Sequence, residues 1–182
     1  SLLGTGLGLF SAVSGKALDE SISRVMDALL SIPNKIFALV MIAALGSSIP
    51  ILLLITAITY TPGVFRIARS LAVNINQMDY IQVARARGEG RLYLASVEVL
   101  PNMIHPMLTD FGLRFVYVVL LLSSLSFLGL GVQPPNADLG SLVRENMSGL
   151  WEGAPAIMAP AAAIISLTIG VNLFIDSLRS SR

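Results

Sequence analysis

Few side chains in this sequence can do chemistry, and their spacing narrows what that chemistry is. Cysteine is absent from all 182 residues, which removes disulfides, thiolate nucleophiles and soft-metal sites. A single histidine, His105, cannot build a multi-histidine metal centre, and beside Pro106 it reads as structural or interfacial. The methionines are scattered without a metal-binding pattern. Asp110 and Arg114 stand four apart and can meet on one helix face. Charges within apolar helices are functional candidates by default. Here Pro101 and Pro106 place the pair near a helix mouth, as a partly hydrated pair that stabilises the helix end. Asp27, inside an apolar run before Pro33, reads as a partner for a neighbouring helix or as a path-lining group. No glycine-rich phosphate loop ending in Lys-Ser/Thr is present. Neither a Ser/His pair nor two facing aspartates stand at span depth, as an intramembrane enzyme would need.

The elements that would hold these groups are apolar and long. The chain is 54% hydrophobic and 13% charged, with a mean hydropathy of +0.77, against about a quarter charged in a soluble domain. Thirty uncharged residues separate Lys35 from Arg66, and runs of twenty-three separate Arg114 from Asp138 and Glu152 from Asp176. A hydrocarbon core takes about 20 apolar residues to cross as helix. The expected fold is therefore all-α, a polytopic bundle of about five spans. These are Leu2–Val13, incomplete; 28–45, kinked at Pro33; a span from the tight turn 46–50 to Arg66 and Arg69, bent at Pro62-Gly63; 103–129; and 155–175. The N-terminus has neither an initiating Met nor a positive n-region, so it does not read as a signal peptide. It reads as an apolar helix entered partway, and the chain as the C-terminal part of a longer protein. A net charge of +1 gives no argument for nucleic acid.

Loop charges set the orientation. Arg66, Arg69, Arg85, Arg87 and Arg91 lie between the third and fourth spans, and Arg179 and Arg182 in the tail. Both regions are expected at the cytoplasmic side. The segment 131–154, with Arg144 beside Asp138, Glu145 and Glu152, is expected outside. Within it Leu139, Leu142, Val143, Asn146, Met147 and Leu150 recur at helical spacing, opposite Arg144, Glu145, Ser148 and Glu152. With Trp151 at the water–lipid boundary, this predicts an amphipathic surface helix. It could be a gate, a docking surface or a cover for the bundle's end. Ser123, Ser124 and Ser126 with Gly129 and Gly131 read as close helix packing.

The central segment 70–101 is the chain's charged interruption. Asp79 and Gln82 form a capping-box pattern for a helix starting near Tyr80, with Arg85 and Arg87 in its last turn and Gly88 ending it in a left-handed conformation. A second short helix is expected over 90–99, stopped by Pro101. Helices this short are marginal alone. Ile81, Val83, Ala84 and Ala86 suit either docking into a groove on another protein or folding back onto the chain's own bundle.

These residues carry a resemblance. "YIQVARARG", followed after eleven residues by "LPN" so that Pro101 stands thirteen positions beyond Gly88, resembles the EAA motif of binding-protein-dependent ABC importer permeases: Tyr80, Ala84, Gly88, Leu100, Pro101 and Asn102 match. Gln82 stands where the family usually has Glu, and Val83 where it usually has Ala. "LSFLGLGVQPP", 125–135, looks like the signature closing the penultimate span in the dipeptide/oligopeptide/nickel subfamily, and "RVMDALLSIP", 24–33, is similar to a stretch opening an earlier span there.

The resemblance implies one permease domain over 1–182 with the type I importer fold, in a bacterial or archaeal cytoplasmic (inner) membrane. It implies as partners a second homologous permease, two cytoplasmic ATPases, an extracytoplasmic binding protein and membrane lipid. The ATPase-coupling residues would be Tyr80, Gln82, Val83, Ala84, Arg85, Arg87, Gly88, Leu100 and Pro101. The chain itself would be no enzyme and carry no cofactor; ATP and Mg would bind the ATPase partners. A di- or oligopeptide is the expected solute, with nickel or another metal chelate as the alternative within the subfamily. Outside it stand a secondary transporter or channel and an intramembrane enzyme. The conspicuous cytoplasmic hairpin favours an ATPase-driven permease.

Overall fold

The computed structural model describes every residue except Glu152, Ala154, Ser181 and Arg182, and the side chains of all but these and Leu178, Arg179 and Ser180. All regular elements among the described residues are helical: α1 (Leu2–Val13), α2 (Lys16–Leu30), α3 (Asn34–Leu45), α4 (Ile49–Ile75), α5 (Asp79–Ala86), α6 (Arg91–Phe127), α7 (Leu139–Glu145) and α8 (Met158–Ser180). Single 3₁₀ turns occupy Ser148–Leu150 and Pro155–Ile157. The all-α membrane architecture stands, but the elements are cut differently from the five expected spans. Three helical stretches are long and apolar enough to cross a membrane: Ile49–Ile75, Arg91–Phe127 and Pro155–Ser177. A fourth would count α2 and α3 as one broken span, and α1, at 12 residues, is shorter than a crossing.

Proline explains most of the differences. Pro33 has no N–H to give and disfavours helical backbone at Ile32, so the expected span 28–45 is broken between Leu30 and Asn34. Pro50 falls in the first turn of α4, where its missing N–H costs nothing. Pro62 is tolerated inside α4, which continues past Arg66 and Arg69 to Ile75. Pro101 does not stop the second arm of the central hairpin. That arm starts at Arg91, widens into a π-helical stretch over Leu94–Val99, and runs through Pro101 and Pro106 to Phe127 as one helix. The π stretch steps the hydrogen bonds from four to five residues just before the proline.

The chain forms two compact units, Ser1–Pro33 with Ile58–Phe111, and Asn34–Ala57 with Gly112–Arg182. In the first, Ala68, Ala72 and Ile75 of α4, Ile81 and Ala84 of α5, and Leu94, Val99 and Met103 of α6 make a buried apolar cluster, flanked by Leu9 and Ala12 of α1. α1 approaches α4 at backbone distance. A Cβ on Gly4 would stand 2.8 Å from the Thr61 carbonyl oxygen, and one on Gly8 2.8 Å from the Arg69 amide nitrogen, whereas one on Gly6 would meet nothing within 4 Å. This is the small-xxx-small packing through which membrane helices gain contact without a hydrophobic driving force. In the second unit α7 packs on α8. A Cβ on Gly140 of α7 would lie 2.5 Å from the Ser123 carbonyl oxygen of α6, and Gly112 of α6 receives Ile175 of α8.

Candidate functional site: the central hairpin and the charged residues around it

The hairpin begins without the expected capping box. Helix α5 starts at Asp79 with Met78 as its N-cap, and no side chain caps it. Gln82 instead reaches back so that its amide donates to the Asn76 carbonyl oxygen (3.4 Å), and Arg85 donates to Asn76 Oδ1 (2.7 Å). What fixes the helix is its apolar edge: Ile81 and Ala84, three apart and therefore on one face, are both fully buried against α4 and α6. Burying one isoleucine contributes about 1.5–3 kcal/mol, enough to hold a helix of eight residues that is marginal alone. Of the two homes left open by the sequence, one edge of α5 takes the chain's own bundle.

The other edge faces outward. Tyr80, Gln82, Val83, Arg85, Ala86 and Arg87 are exposed, as are Arg91 and Leu92 beyond the turn. The turn is built on Gly88, at φ +84°. The Gly88 amide donates to the Arg85 carbonyl (2.9 Å) and the Glu89 amide to that of Ala84 (3.3 Å), the paired bonds of a Schellman ending. No neighbouring atom lies within 4 Å of where a Gly88 Cβ would be, so the left-handed backbone alone selects glycine there. Leu100 is half-buried and Pro101 exposed. Asn102 ties the hairpin's two arms together: its amide donates to the Glu98 carbonyl (2.7 Å) and to the Tyr80 hydroxyl (3.2 Å).

The charged groups divide by burial. Arg66 and Arg69, expected at a span exit, lie on α4 and both pair with α2. Arg66 meets Asp27 at 2.8 Å with both side chains more than half exposed, a geometry worth about 0.2–1 kcal/mol. Arg69 binds Asp19 through two nitrogens, Nε to Oδ1 at 2.5 Å and Nη2 to Oδ2, and the Ser11 hydroxyl donates to the same carboxylate. That planar two-point match, partly buried, is the stronger kind. Asp27 thus takes the neighbouring-helix partner. Asp19 was missed, although two aspartates eight apart on an amphipathic segment, against two arginines three apart, were its signal.

Asp110 is 8% exposed, not the partly hydrated group expected. α6 starts at Arg91 rather than beyond Pro101, so Asp110 lies about 28 Å along it at the helical rise. Arg114 is half-buried. His105 is exposed, and its carbonyl accepts from the Thr109 hydroxyl (3.4 Å).

In the segment 131–154 the helix is shorter than expected, ending at Glu145, with Asn146 as its C-cap and Trp151 92% exposed. Glu152, expected on its polar side, and Arg182 of the tail lie outside the described residues, as does the side chain of Arg179. The capping box that the hairpin lacks is found here. The Ser141 amide donates to Asp138 Oδ1 (2.7 Å), and the Asp138 amide donates to Ser141 Oγ (3.1 Å). The spacing Asp-x-x-Ser was its signal. Of the serines expected in close packing, Ser124 bonds back to the Leu120 carbonyl (2.6 Å) and Ser126 donates to Asp138 Oδ2.

Residues 4–180 match the family described as binding-protein-dependent transport system inner membrane component. The chain is 34% identical over 178 residues to the probable D,D-dipeptide transport system permease protein DdpC of Escherichia coli, covering 98% of this chain and 60% of that protein. It is 32% identical over 178 residues to the dipeptide transport system permease protein DppC of Haemophilus influenzae, again 98% and 60%. To the glutathione transport system permease protein GsiD of Pectobacterium atrosepticum it is 29% identical over 180 residues, 99% and 60%. The chain spans about 60% of the length of these curated relatives.

Proposed function

The chain belongs to the binding-protein-dependent transport system inner membrane components, and from that premise we propose that it is the membrane part of a permease subunit importing di- or oligopeptides. A second homologous permease completes the pathway, an extracytoplasmic binding protein delivers the solute, and two cytoplasmic ATPases drive the cycle. ATP and Mg belong to those ATPases, and this chain does no bond chemistry. The relatives' names, dipeptide, D,D-dipeptide and glutathione, support a short peptide as the solute.

The observation that carries this reading is the two-edged helix α5. Ile81 and Ala84 anchor it to the chain's own helices, while Tyr80, Gln82, Val83 and Arg87 are left to meet a partner. A coupling element needs both properties, since a push on the outer edge is useful only if the inner edge is seated. The hairpin and the C-terminus then face the cytoplasm, in accord with the arginines they hold. Gln82 keeps hydrogen bonding but has no carboxylate for an ion pair with the ATPase. Val83 adds bulk at the contact.

Cysteine crosslinking in the full-length, assembled transporter tests this. Val83→Cys should crosslink to a cysteine introduced in the cleft of the ATPase, with the yield changing on ATP binding, whereas Ile81→Cys should not react. Equal yields from both positions, or none from Val83 in a transporter that imports peptide, would remove α5 from the coupling path.

A further inference from the structure

One charged group outside the hairpin is placed for recognition. In the second unit, Ile49, Leu52 and Leu53 of α4, Val119, Leu122, Ser123 and Ser126 of α6, and Val132, Asp138 and Leu139 enclose a cleft of about 260 Å³. Its walls are aliphatic apart from two serine hydroxyls and one carboxylate. Asp138 is half-buried, and its carboxylate accepts from the Ser141 amide through Oδ1 and from the buried Ser126 hydroxyl through Oδ2. Asp138 is a partner in neither the Asp27–Arg66 nor the Asp19–Arg69 ion pair. A charge withdrawn from water is ordinarily paired, and each carboxylate oxygen here has lone pairs to spare.

We infer that this cleft is a solute subsite in which Asp138 receives the α-ammonium of a peptide while the aliphatic wall takes its first side chain. The volume lies just below the range that encloses drug-sized ligands, the scale of a short peptide rather than a folded one. The Ser126 hydroxyl beside the carboxylate can accept another of the ammonium's protons. This inference rests on the permease reading above. In that orientation the cleft lies toward the outer side, where the start of α4 and the end of α6 first meet an arriving solute. The capping role of Asp138 does not compete with this one, since a carboxylate can accept from an amide and an ammonium together.

The two roles separate in Asp138→Asn, because asparagine caps a helix as well as aspartate but carries no charge. Full-length permease complex in nanodiscs, without the binding protein, is titrated with alanyl-alanine and with N-acetyl-alanyl-alanine by saturation-transfer NMR. The free amine should bind, the acetylated dipeptide should not, and Asp138→Asn should weaken alanyl-alanine about tenfold, the scale of one charge-assisted hydrogen bond. Its thermal midpoint should stay unchanged. Val119→Phe, which fills the cleft and leaves the cap intact, should abolish binding. Equal binding of the two dipeptides, or unaltered binding in either variant, overturns the subsite. ATP-driven uptake by the wild-type transporter is scored separately. If it imports peptide while Asp138→Asn binds normally, the subsite alone falls; if it imports no peptide, the solute assignment falls.

Discussion

Helices α5 and α7 pose the same problem and solve it in opposite ways. Each is a helix of seven or eight residues, too short to stand alone, placed between long apolar helices. α5 has no capping side chain and is seated on two buried apolar residues, with exposed bonds from Gln82 and Arg85 to Asn76 and from Asn102 to Tyr80 on its outer edge. α7 is held by polar bonds at its start, by Gly140 against the backbone of Ser123 and by packing on α8. An apolar edge whose directional bonds are all made by exposed side chains can rock in its seat. A capped helix whose backbone touches its neighbour cannot. The contrast matches an element that receives motion against one that keeps the geometry of a cleft fixed.

The contrast can be broken most severely at Ile81. Ile81→Asp puts an unpaired charge where the side chain has no exposure, at a cost of about 4 kcal/mol. It should release α5, seen as rapid hydrogen exchange over Asp79–Ala86 with α7 still protected. Loss of protection in both helices would mean that they do not behave as separate seats. Gly140→Val comes next. Its Cβ would sit 2.5 Å from the Ser123 carbonyl oxygen, and overpacking of this kind costs about 3 kcal/mol. Here α7 should exchange and α5 should not, with a lowered thermal midpoint in detergent. The smallest effect is expected at Gly88. With open space around it, Gly88→Ala meets only the backbone penalty of a left-handed residue, about 1–2 kcal/mol. The permease should still assemble at near-normal yield while peptide-stimulated ATP hydrolysis falls. Full stimulation in that variant would show that the turn's shape is not part of coupling.

Much of the hairpin was legible because its signals are local. Gly88 ends a helix after Arg85 and Arg87 by a rule that needs only the adjacent backbone, and the apolar runs declare their length directly. α5 starts at Asp79, within one residue of the expected Tyr80, but the Asp79–Gln82 capping box does not form and the chain builds one at Asp138 and Ser141 instead; the pattern records what side chains can do, not what they do. Pro101 was read as a stop because a lost N–H is visible in the sequence, while the π-helical relief over Leu94–Val99 that accommodates it is not. The pairs Asp19–Arg69 and Asp27–Arg66 span fifty and thirty-nine residues. No local periodicity reports a partner at that separation.

The backbone contact of α1 with α4 has a mechanical consequence. Gly4 and Gly8 contribute no side chain of their own to that seam, where they meet Val64 and Ala68 and the α4 backbone, and Gly6, between them, faces open space. Advancing α1 by one residue along its own screw would put Leu3 or Thr5 where Gly4 now meets the Thr61 carbonyl. The first helix is therefore keyed to α4 like a shaft in a slot, able to travel with it but not along it.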